Sequence, residues 1–179
     1  MGSIFYYNFK KRKLGILKTI NVKKGDIIQR KDDLNTKVYK VISGLLRSYS
    51  IDDKGKEHIF MFAPEGWIVA DGSDKTLPAQ LYIDVLEDSL IQVIEKEITQ
   101  REVDPKILLK RIEVLQKRII MLMSSTAIAR YEHFEETYPN IIQRVPQKMI
   151  ASYLGITPEA LSKVKGVKAR EKSNIKHPE

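Results

Sequence analysis

Cysteine is absent from this sequence of 179 residues, and histidine is scarce, with three residues. Disulfides, cysteine-ligated iron–sulfur clusters and thiolate zinc sites are therefore excluded. Long apolar runs are missing too, because no stretch reaches the roughly 18 consecutive apolar residues that a membrane-spanning helix needs. The N-terminal residues 1–13 lack the apolar segment of a secretory signal. These absences predict a cytoplasmic protein with no membrane partner, no metal site and no cofactor.

Catalytic patterns are also lacking. The sequence contains no nucleophile–base pair, no cluster of metal ligands and no glycine-rich phosphate loop. Its paired aspartates, Asp32-Asp33 and Asp52-Asp53, stand in turn sequences, where aspartate is an ordinary residue. We therefore predict that the protein is not an enzyme.

Positive charge is concentrated in the last part of the chain. Residues 1–103 carry 17 basic and 15 acidic side chains, residues 104–139 carry six and five, and residues 140–179 carry eight and three. The last segment thus holds +5 of the net charge of +8. This asymmetry predicts a surface that faces phosphate, although a solvated basic end explains the charge equally well.

Short β-prone runs separated by turn sequences fill the first hundred residues, which predicts an antiparallel sandwich or barrel. The sequence Asp52-Asp53-Lys54-Gly55 predicts a hairpin, since glycine adopts a positive φ without a steric penalty. Ser43-Gly44 predicts another turn. The predicted strands cover residues 27–30, 37–42, 44–51, 57–62, 81–86 and 90–94.

A long helix is predicted over residues 104–136. Asp104 can accept hydrogen bonds from the free N–H groups of a helix start, and Pro105 suits the first helical position. Apolar residues then recur at alternating steps of four and three, which predicts a coiled-coil dimer seam. A helical hairpin within one chain is the alternative. The seam consists of Leu108, Ile112, Leu115, Ile119, Leu122 and Thr126.

Two short helices are predicted after the break at Tyr138-Pro139-Asn140, with a sharp turn between them. Gly155 tolerates the positive φ that the turn requires, and Ala151 is small enough for a close helix crossing. Thr157 can cap the second helix. This arrangement is typical of a helix-turn-helix. The predicted helices cover residues 146–154 and 158–165.

The second helix of a helix-turn-helix lies in the major groove of DNA with its N-terminal residues toward the base edges. On its solvent side, Glu159 can accept from a cytosine amino group, and Lys163 can donate to guanine or to phosphate. An ordinary helical hairpin with a charged surface is the alternative. The predicted DNA-binding residues are Gln147, Lys148, Thr157, Pro158, Glu159, Ser162, Lys163 and Lys165.

Residues 150–163, Ile-Ala-Ser-Tyr-Leu-Gly-Ile-Thr-Pro-Glu-Ala-Leu-Ser-Lys, resemble the helix-turn-helix of the Crp/Fnr family of bacterial transcription regulators. The order of segments is similar over residues 10–165. The resemblance implies an α+β fold with three parts: a jelly-roll-like antiparallel β-roll sensor of the cyclic-nucleotide-binding type (1–103), a long dimerisation helix (104–136) and a helix-turn-helix domain (137–179). It also implies a homodimer on palindromic double-stranded DNA, with RNA polymerase as a further partner.

The sequence departs from the family in its DNA-binding part. Pro158 stands where cyclic-AMP-responsive members have an arginine that contacts bases, so we expect a different recognition sequence. Family members usually continue with a β-hairpin wing. Residues 166–179 are rich in lysine and lack a strand pattern, which predicts a truncated or absent wing. This basic tail is expected to be disordered, with phosphate contact as the alternative.

The sensor part departs as well. In cyclic-nucleotide-binding members an Arg-Ser pair binds the phosphate, whereas Ala79 and Gln80 stand at those positions here. Without the arginine, a buried phosphate loses its counter-charge, so cyclic AMP is not expected to bind in the usual way. An unidentified small-molecule effector stays open, and so does a ligand-binding or protein-interaction module that does not engage DNA. The residues expected to line an effector pocket are Trp67, Asp71, Gln80 and Tyr82.

Overall fold

The computed structural model describes residues 16–96 and 105–176, which belong to two compact units, one all-β and one all-α. The predicted helix start at Asp104 lies outside these residues. Among the described helices, none is both long enough and apolar enough to cross a membrane.

The first unit, as far as it is described, contains six strands: β1 (Ile16–Val22), β2 (Ile27–Gln29), β3 (Val38–Ile51), β4 (Glu57–Ala63), β5 (Ile68–Val69) and β6 (Tyr82–Ile94). All of their pairings are antiparallel. The long strands β3 and β6 pair from Val38 opposite Ile94 to Tyr49 opposite Tyr82. β1 and β2 pair with β6, while β4 and β5 pair with β3.

The core of this unit follows from alternation along the strands. In β4, Ile59 and Met61 are buried, while Phe60 between them is exposed on the other side. Side chains that alternate in this way place one set on the core face of a sheet. The main buried cluster consists of Val22, Tyr39, Val41, Leu46, Met61, Ala63, Val69, Ile83, Val85, Ile91 and Val93.

The hairpin predicted at Asp52-Asp53-Lys54-Gly55 is confirmed. The N–H of Asp52 donates to the carbonyl of Lys56 at 3.0 Å, and Gly55 has a φ of +75°. Oδ1 of Asp52 accepts from the N–H groups of Lys54 and Lys56 at 3.0 and 2.9 Å. The aspartate side chain therefore shapes the turn that joins β3 to β4.

The turn predicted at Ser43-Gly44 is wrong. Strand β3 runs through these residues, so the predicted strands 37–42 and 44–51 are halves of one strand. The register against β6 shifts on both sides of Ser43, which marks a β-bulge. Gly44 has a φ of +93°, and a Cβ there would collide with Ser89. A glycine with positive φ serves a bulge as readily as a turn, and the sequence pattern does not separate the two.

Strand β6 likewise joins the predicted segments 81–86 and 90–94 into one strand of 13 residues. The polar residues between them continue the ladder, because Glu87 pairs with Leu45 and Ser89 with Val22. β1 has no predicted counterpart in the sequence analysis.

The second unit, over residues 105–176, contains four helices: α1 (Pro105–Ser124), α2 (Ala127–Thr137), α3 (Gln147–Leu154) and α4 (Pro158–Lys176). The single helix predicted over residues 104–136 is therefore wrong. Thr126 starts α2 as its N-cap, and its Oγ1 accepts from the N–H of Ala129 at 3.2 Å. Hydroxyl side chains compete with helical backbone bonds and favour caps. Thr126 therefore interrupts the predicted helix as a cap, and its place in the dimer seam stays a prediction.

Helix α4 is much longer than predicted. It continues past Lys165 to Lys176, so the expected disorder of the tail is wrong for residues 166–176. Lys168 explains part of this order, because its Nζ lies 2.8 Å from Glu135 and 3.2 Å from Glu132, both on α2.

An aromatic cluster packs α2 against α3. The rings of Phe134, Tyr138 and Tyr153 have centroids 5.3 to 5.4 Å apart. The predicted break at Tyr138 is confirmed, since its N–H donates to the carbonyl of Phe134 at 2.8 Å and ends α2. Edge and tilted contacts between buried rings add about 0.5–1.5 kcal/mol per pair beyond area burial.

Candidate nucleic-acid interface

Gly155 makes the turn between α3 and α4. It has φ +63° and ψ +34°, as predicted, and its N–H bonds to the carbonyls of Ala151 and Ser152. A Cβ at this position would lie 3.4 Å from Nη1 of Arg130 and 3.5 Å from Cδ2 of Leu122. These distances are ordinary van der Waals contacts, so the turn favours glycine for its backbone conformation alone.

Five apolar residues of α3, of α4 and of the turn between them form a shared face between the two helices. Four of its five residues are buried, and Ile156 is half-buried. Such close packing leaves each helix a single orientation relative to the other. The direction in which α4 presents its first turn is therefore fixed. The buried residues are Ile150, Leu154, Leu161 and Val164.

Two side chains complete the N-terminal end of α4. Oγ1 of Thr157 accepts from the N–H of Ala160 at 3.2 Å, which is the predicted cap. The carboxylate of Glu159 accepts from its own backbone N–H and from the Thr157 hydroxyl, and these hydrogen bonds lower the pKa of Glu159. Glu159 is therefore ionised at neutral pH and exposed, as an acceptor for a base amino group must be.

The eight residues predicted to bind DNA lie on α3, on α4 and at the turn between them. Seven are exposed and Lys165 is half-buried. Residues three or four positions apart share one side of a helix, so Glu159, Ser162 and Lys163 lie on one side of α4. Gln147 and Lys148 form the first turn of α3. Thr157 differs from the others because its side-chain oxygen is used in the cap.

Arg130, which sequence reasoning missed, connects the ends of two helices. Its Nη2 donates to the carbonyl of Leu122 at 2.7 Å and its Nε to that of Ser125 at 3.1 Å. Its Nη1 donates to the carbonyls of Leu154 and Gly155 at 3.0 and 3.5 Å. The last carbonyls of a helix have no partner within that helix. Arg130 therefore donates hydrogen bonds to carbonyls at the ends of both α1 and α3.

Arg118 forms a second link between these elements. Its guanidinium carbon lies 3.9 Å from the ring centroid of Tyr153, and its Nη2 donates to the carbonyl of Tyr153 at 3.4 Å. Burial raises the pKa of Tyr153, while the nearby Arg118 charge opposes that shift. The two arginines fix α3 relative to α1, which sets the position of the α3–α4 turn.

Helix α1 exposes an apolar face. Ile112, Leu115 and Ile119 of the predicted seam are 58%, 40% and 56% exposed, and Leu122 is half-buried. The side chain of Leu108 lies outside the described part of the chain. Contiguous exposed apolar side chains mark interaction surfaces. Three apolar residues that were not assigned to the seam are exposed as well, Leu109, Ile120 and Met123.

In the β unit, the Asp71 carboxylate accepts hydrogen bonds from the backbone of its own loop. Its Oδ1 accepts from the N–H of Ser73 at 2.7 Å, and its Oδ2 accepts from those of Gln80 and Leu81 at 2.8 and 2.9 Å. Burial opposes ionisation of the carboxyl, but these hydrogen bonds outweigh it and lower the pKa of Asp71. The carboxylate therefore closes the loop between β5 and β6.

The other residues predicted to line an effector pocket have different surroundings. Trp67 is half-buried against the core cluster, and Gln80 is exposed. Tyr82 stacks on Tyr49, with ring centroids 5.3 Å apart.

Arg47 is a buried arginine that the sequence analysis did not single out. Its Nε and Nη2 donate to the carboxylate of Asp84 at 2.8 and 2.9 Å, and its Nη1 donates to Glu57 at 2.5 Å. Burial disfavours its charge, but the hydrogen bonds of Asp84 and Glu57 raise the pKa of Arg47. This guanidinium already pairs with two carboxylates, so it is poorly suited to neutralise an anionic ligand.

No protein-family model matches the sequence, and no curated protein matches it. Solved structures, in contrast, match its fold. FixK2 from Bradyrhizobium japonicum superposes with a TM-score of 0.70 at 18% identity, over 87% of this chain and 85% of that chain. TTHA1359, a transcriptional regulator of the CRP/FNR family from Thermus thermophilus, gives a TM-score of 0.63 at 18% identity, over 86% and 87%.

A third similar structure is the c-di-GMP responsive global regulator CLP of Xanthomonas campestris. Its TM-score is 0.60 at 16% identity, over 86% of this chain and 87% of that chain. Each match covers most of both chains, so it includes strands and helices alike.

Proposed function

Because the chain has the fold of the Crp/Fnr regulators, we propose that it is a transcription regulator that binds double-stranded DNA as a homodimer. One observation carries this proposal: α4 presents Glu159, Ser162 and Lys163 to solvent, next to a turn held by Gly155 and Arg130. A rigid helix with exposed polar residues near its N-terminal end suits the reading of base edges. Its similarity to CLP and TTHA1359, both described as regulators, supports the same role.

In the proposed complex, the N-terminal half of α4 lies in the major groove. Glu159, ionised at neutral pH, accepts from a cytosine amino group, and Lys163 donates to guanine or to a phosphate. Pro158 has no N–H and no polar side-chain atom, so it can contribute only apolar contact such as packing on a thymine methyl group. Gln147 and Lys148, at the start of α3, are proposed to contact the DNA backbone.

The proposed dimer forms through the apolar face of α1. Burying side chains such as Ile112 and Ile119 against a second copy removes apolar surface from water, at about 25 cal/mol per Å². Two-fold symmetry would then place two copies of α4 about one helical turn of DNA apart. Palindromic half-sites follow from this symmetry.

The proposed regulator does not respond to cyclic AMP. Position 79 is alanine, the Asp71 carboxylate already takes the N–H groups of Gln80 and Leu81, and Arg47 pairs with Asp84. A cyclic phosphate would therefore meet few free donors in this loop. The effector, if the protein has one, is an unidentified small molecule. A cytoplasmic location, contact with RNA polymerase, absence of enzymatic activity and a division at residue 103 belong to the same proposal.

Selection of bound duplexes from a random pool, by the full-length protein at near-physiological salt, tests the proposal. Enrichment of a palindrome with half-sites one helical turn apart is expected. Salt-sensitive binding without any enriched sequence, with or without cell extract, would contradict it. That result would favour the alternative, a ligand-binding or protein-interaction module.

A further inference from the structure

Helix α4 has two opposite faces. One face is docked on the unit through Leu161, Val164 and Lys168, at steps of three and four. The other face lies about half a helical turn away and is exposed. With about 100° between successive residues, its members form one line along the helix. They are Glu159, Lys163, Gly166 and Arg170.

The exposed line of α4 residues is longer than the DNA major groove is wide. At about 1.5 Å per residue, Arg170 lies about 16 Å along the axis from Glu159 and about 10 Å from Lys163. The major groove is about 12 Å wide. A helix with Glu159 and Lys163 over the bases therefore brings Arg170 to the edge of the groove, where the phosphates are.

Lys168 and Arg170, two of the basic residues of α4, have different surroundings. Lys168 lies on the docked face, only 16% of its side chain is exposed, and its hydrogen bond to Glu135 together with that to Glu132 raises its pKa. It is therefore held against α2. Arg170 is exposed on the opposite face. The contact of Lys168 holds the second half of α4 in place and so gives Arg170 a defined direction.

We propose that Arg170 binds a DNA phosphate at the edge of the major groove. This inference rests on the proposed function and adds a contact to it. A guanidinium presents a fork of N–H donors that matches phosphate oxygens. Gly166, between Lys163 and Arg170 on the same face, has open space around it. The DNA backbone can therefore come close to this part of the helix.

The test is the salt dependence of duplex binding by full-length Arg170→Ala, compared with wild type on the selected palindrome and on random DNA. Loss of one phosphate contact should reduce the slope of log K against log salt by about 1. At about 0.1 M salt the affinity should fall about five- to tenfold, equally on both duplexes. Arg170→Lys should keep most of the slope.

Lys117→Ala is the matched control, because it removes one exposed positive charge from α1, and its slope should equal that of wild type. If wild type binds the palindrome and Arg170→Ala keeps the wild-type slope, the Arg170 contact is wrong and the proposed function stands. A loss confined to the palindrome would also overturn it, because it would make Arg170 a base contact. Wild type that binds no duplex would contradict both proposals. Circular dichroism of Arg170→Ala checks that its helix content is unchanged.

Discussion

Asp71 is 3% exposed, and its carboxylate accepts hydrogen bonds from three backbone N–H groups. A buried acceptor of this kind stabilises a loop because each N–H would otherwise lose its partner. Hydrogen bonds to charged groups contribute about 1.5–3 kcal/mol each. At the scale of single residues, Asp71 therefore has a role in folding that its position near a predicted pocket does not suggest.

Asp71→Asn should lower the free energy of unfolding by about 2–3 kcal/mol at pH 7, because an amide group accepts less strongly and brings donors toward N–H groups. Urea denaturation measures this change. Asp53→Asn, the same substitution at an exposed turn residue, should change stability by less than about 0.5 kcal/mol.

The loss of stability caused by Asp71→Asn should depend on pH. The pKa of Asp71 is lowered in the folded protein, so its contribution is fully present above the unfolded value of about 3.9 and is lost as pH falls through the folded pKa. The difference between wild type and Asp71→Asn should therefore shrink below about pH 4. An equal difference at neutral pH and at about pH 3 would contradict this role of the charge.

Lys163→Ala should weaken binding of the selected duplex by about 1–3 kcal/mol if Lys163 reads a base. Binding of random DNA should then change much less. Fluorescence anisotropy with both duplexes measures the two affinities, and Lys117→Ala again serves as the control for loss of charge. An equal loss on both duplexes would instead make Lys163 a phosphate contact.

At the scale of elements, the two glycines of the α3–α4 region stand in different backbone conformations, so replacing them with alanine should have opposite effects on stability. Gly155 has a positive φ, whereas Gly166 lies inside the regular helix α4 with nothing near its would-be Cβ. Gly155→Ala should destabilise the protein by about 1–2 kcal/mol, since L-residues disfavour the left-handed region. Gly166→Ala should stabilise it by about 0.5–1 kcal/mol. Thermal unfolding of the two variants measures both signs.

A destabilising Gly166→Ala would contradict the continuous helix through this position. A neutral Gly155→Ala would contradict the left-handed turn. The two substitutions are chemically identical, so the opposite signs expected for them come from the backbone and its immediate surroundings.

The ends of elements were predicted correctly where a local sequence signal had only one structural meaning. Gly55 in a four-residue turn and Tyr138 before a proline each ended an element as expected. Gly44 was misread because glycine also occurs in bulges. The second helix was predicted to end at residue 165, although glycine is tolerated within a helix that other contacts hold. The break between α1 and α2 was not predicted, because Thr126 fits the heptad spacing and is also a good N-cap.

At the scale of the whole molecule, the exposed apolar face of α1 predicts self-association. Ile119→Lys should convert a dimer to a monomer, because a lysine in the seam would be buried without a partner. Sedimentation equilibrium measures the mass. Glu113→Lys, which adds at least as much positive charge to α1 at an exposed position, should leave the mass unchanged. A wild-type mass for Ile119→Lys would remove the seam from the proposal.

The contacts that organise the candidate site connect residues far apart in the chain. Arg130 bonds to a carbonyl 24 positions away, and Lys168 bonds to a carboxylate 33 positions away. Spacing rules reveal partners three or four residues apart, so neither pairing could be read from the sequence. The exposed residues Glu159 and Lys163 could be predicted because their helix and its buried face followed from local periodicity.

The attachment of Lys168 to α2 also has a consequence for which sequence is read. A helix in a groove selects bases through the side chains that face them, and a rotation of about 100° about its own axis exchanges that set for the neighbouring one. The ion pairs of Lys168 with Glu132 and Glu135 resist this rotation. They act as a rotational stop, so that under the proposed function the choice of operator depends in part on a lysine that faces away from the DNA.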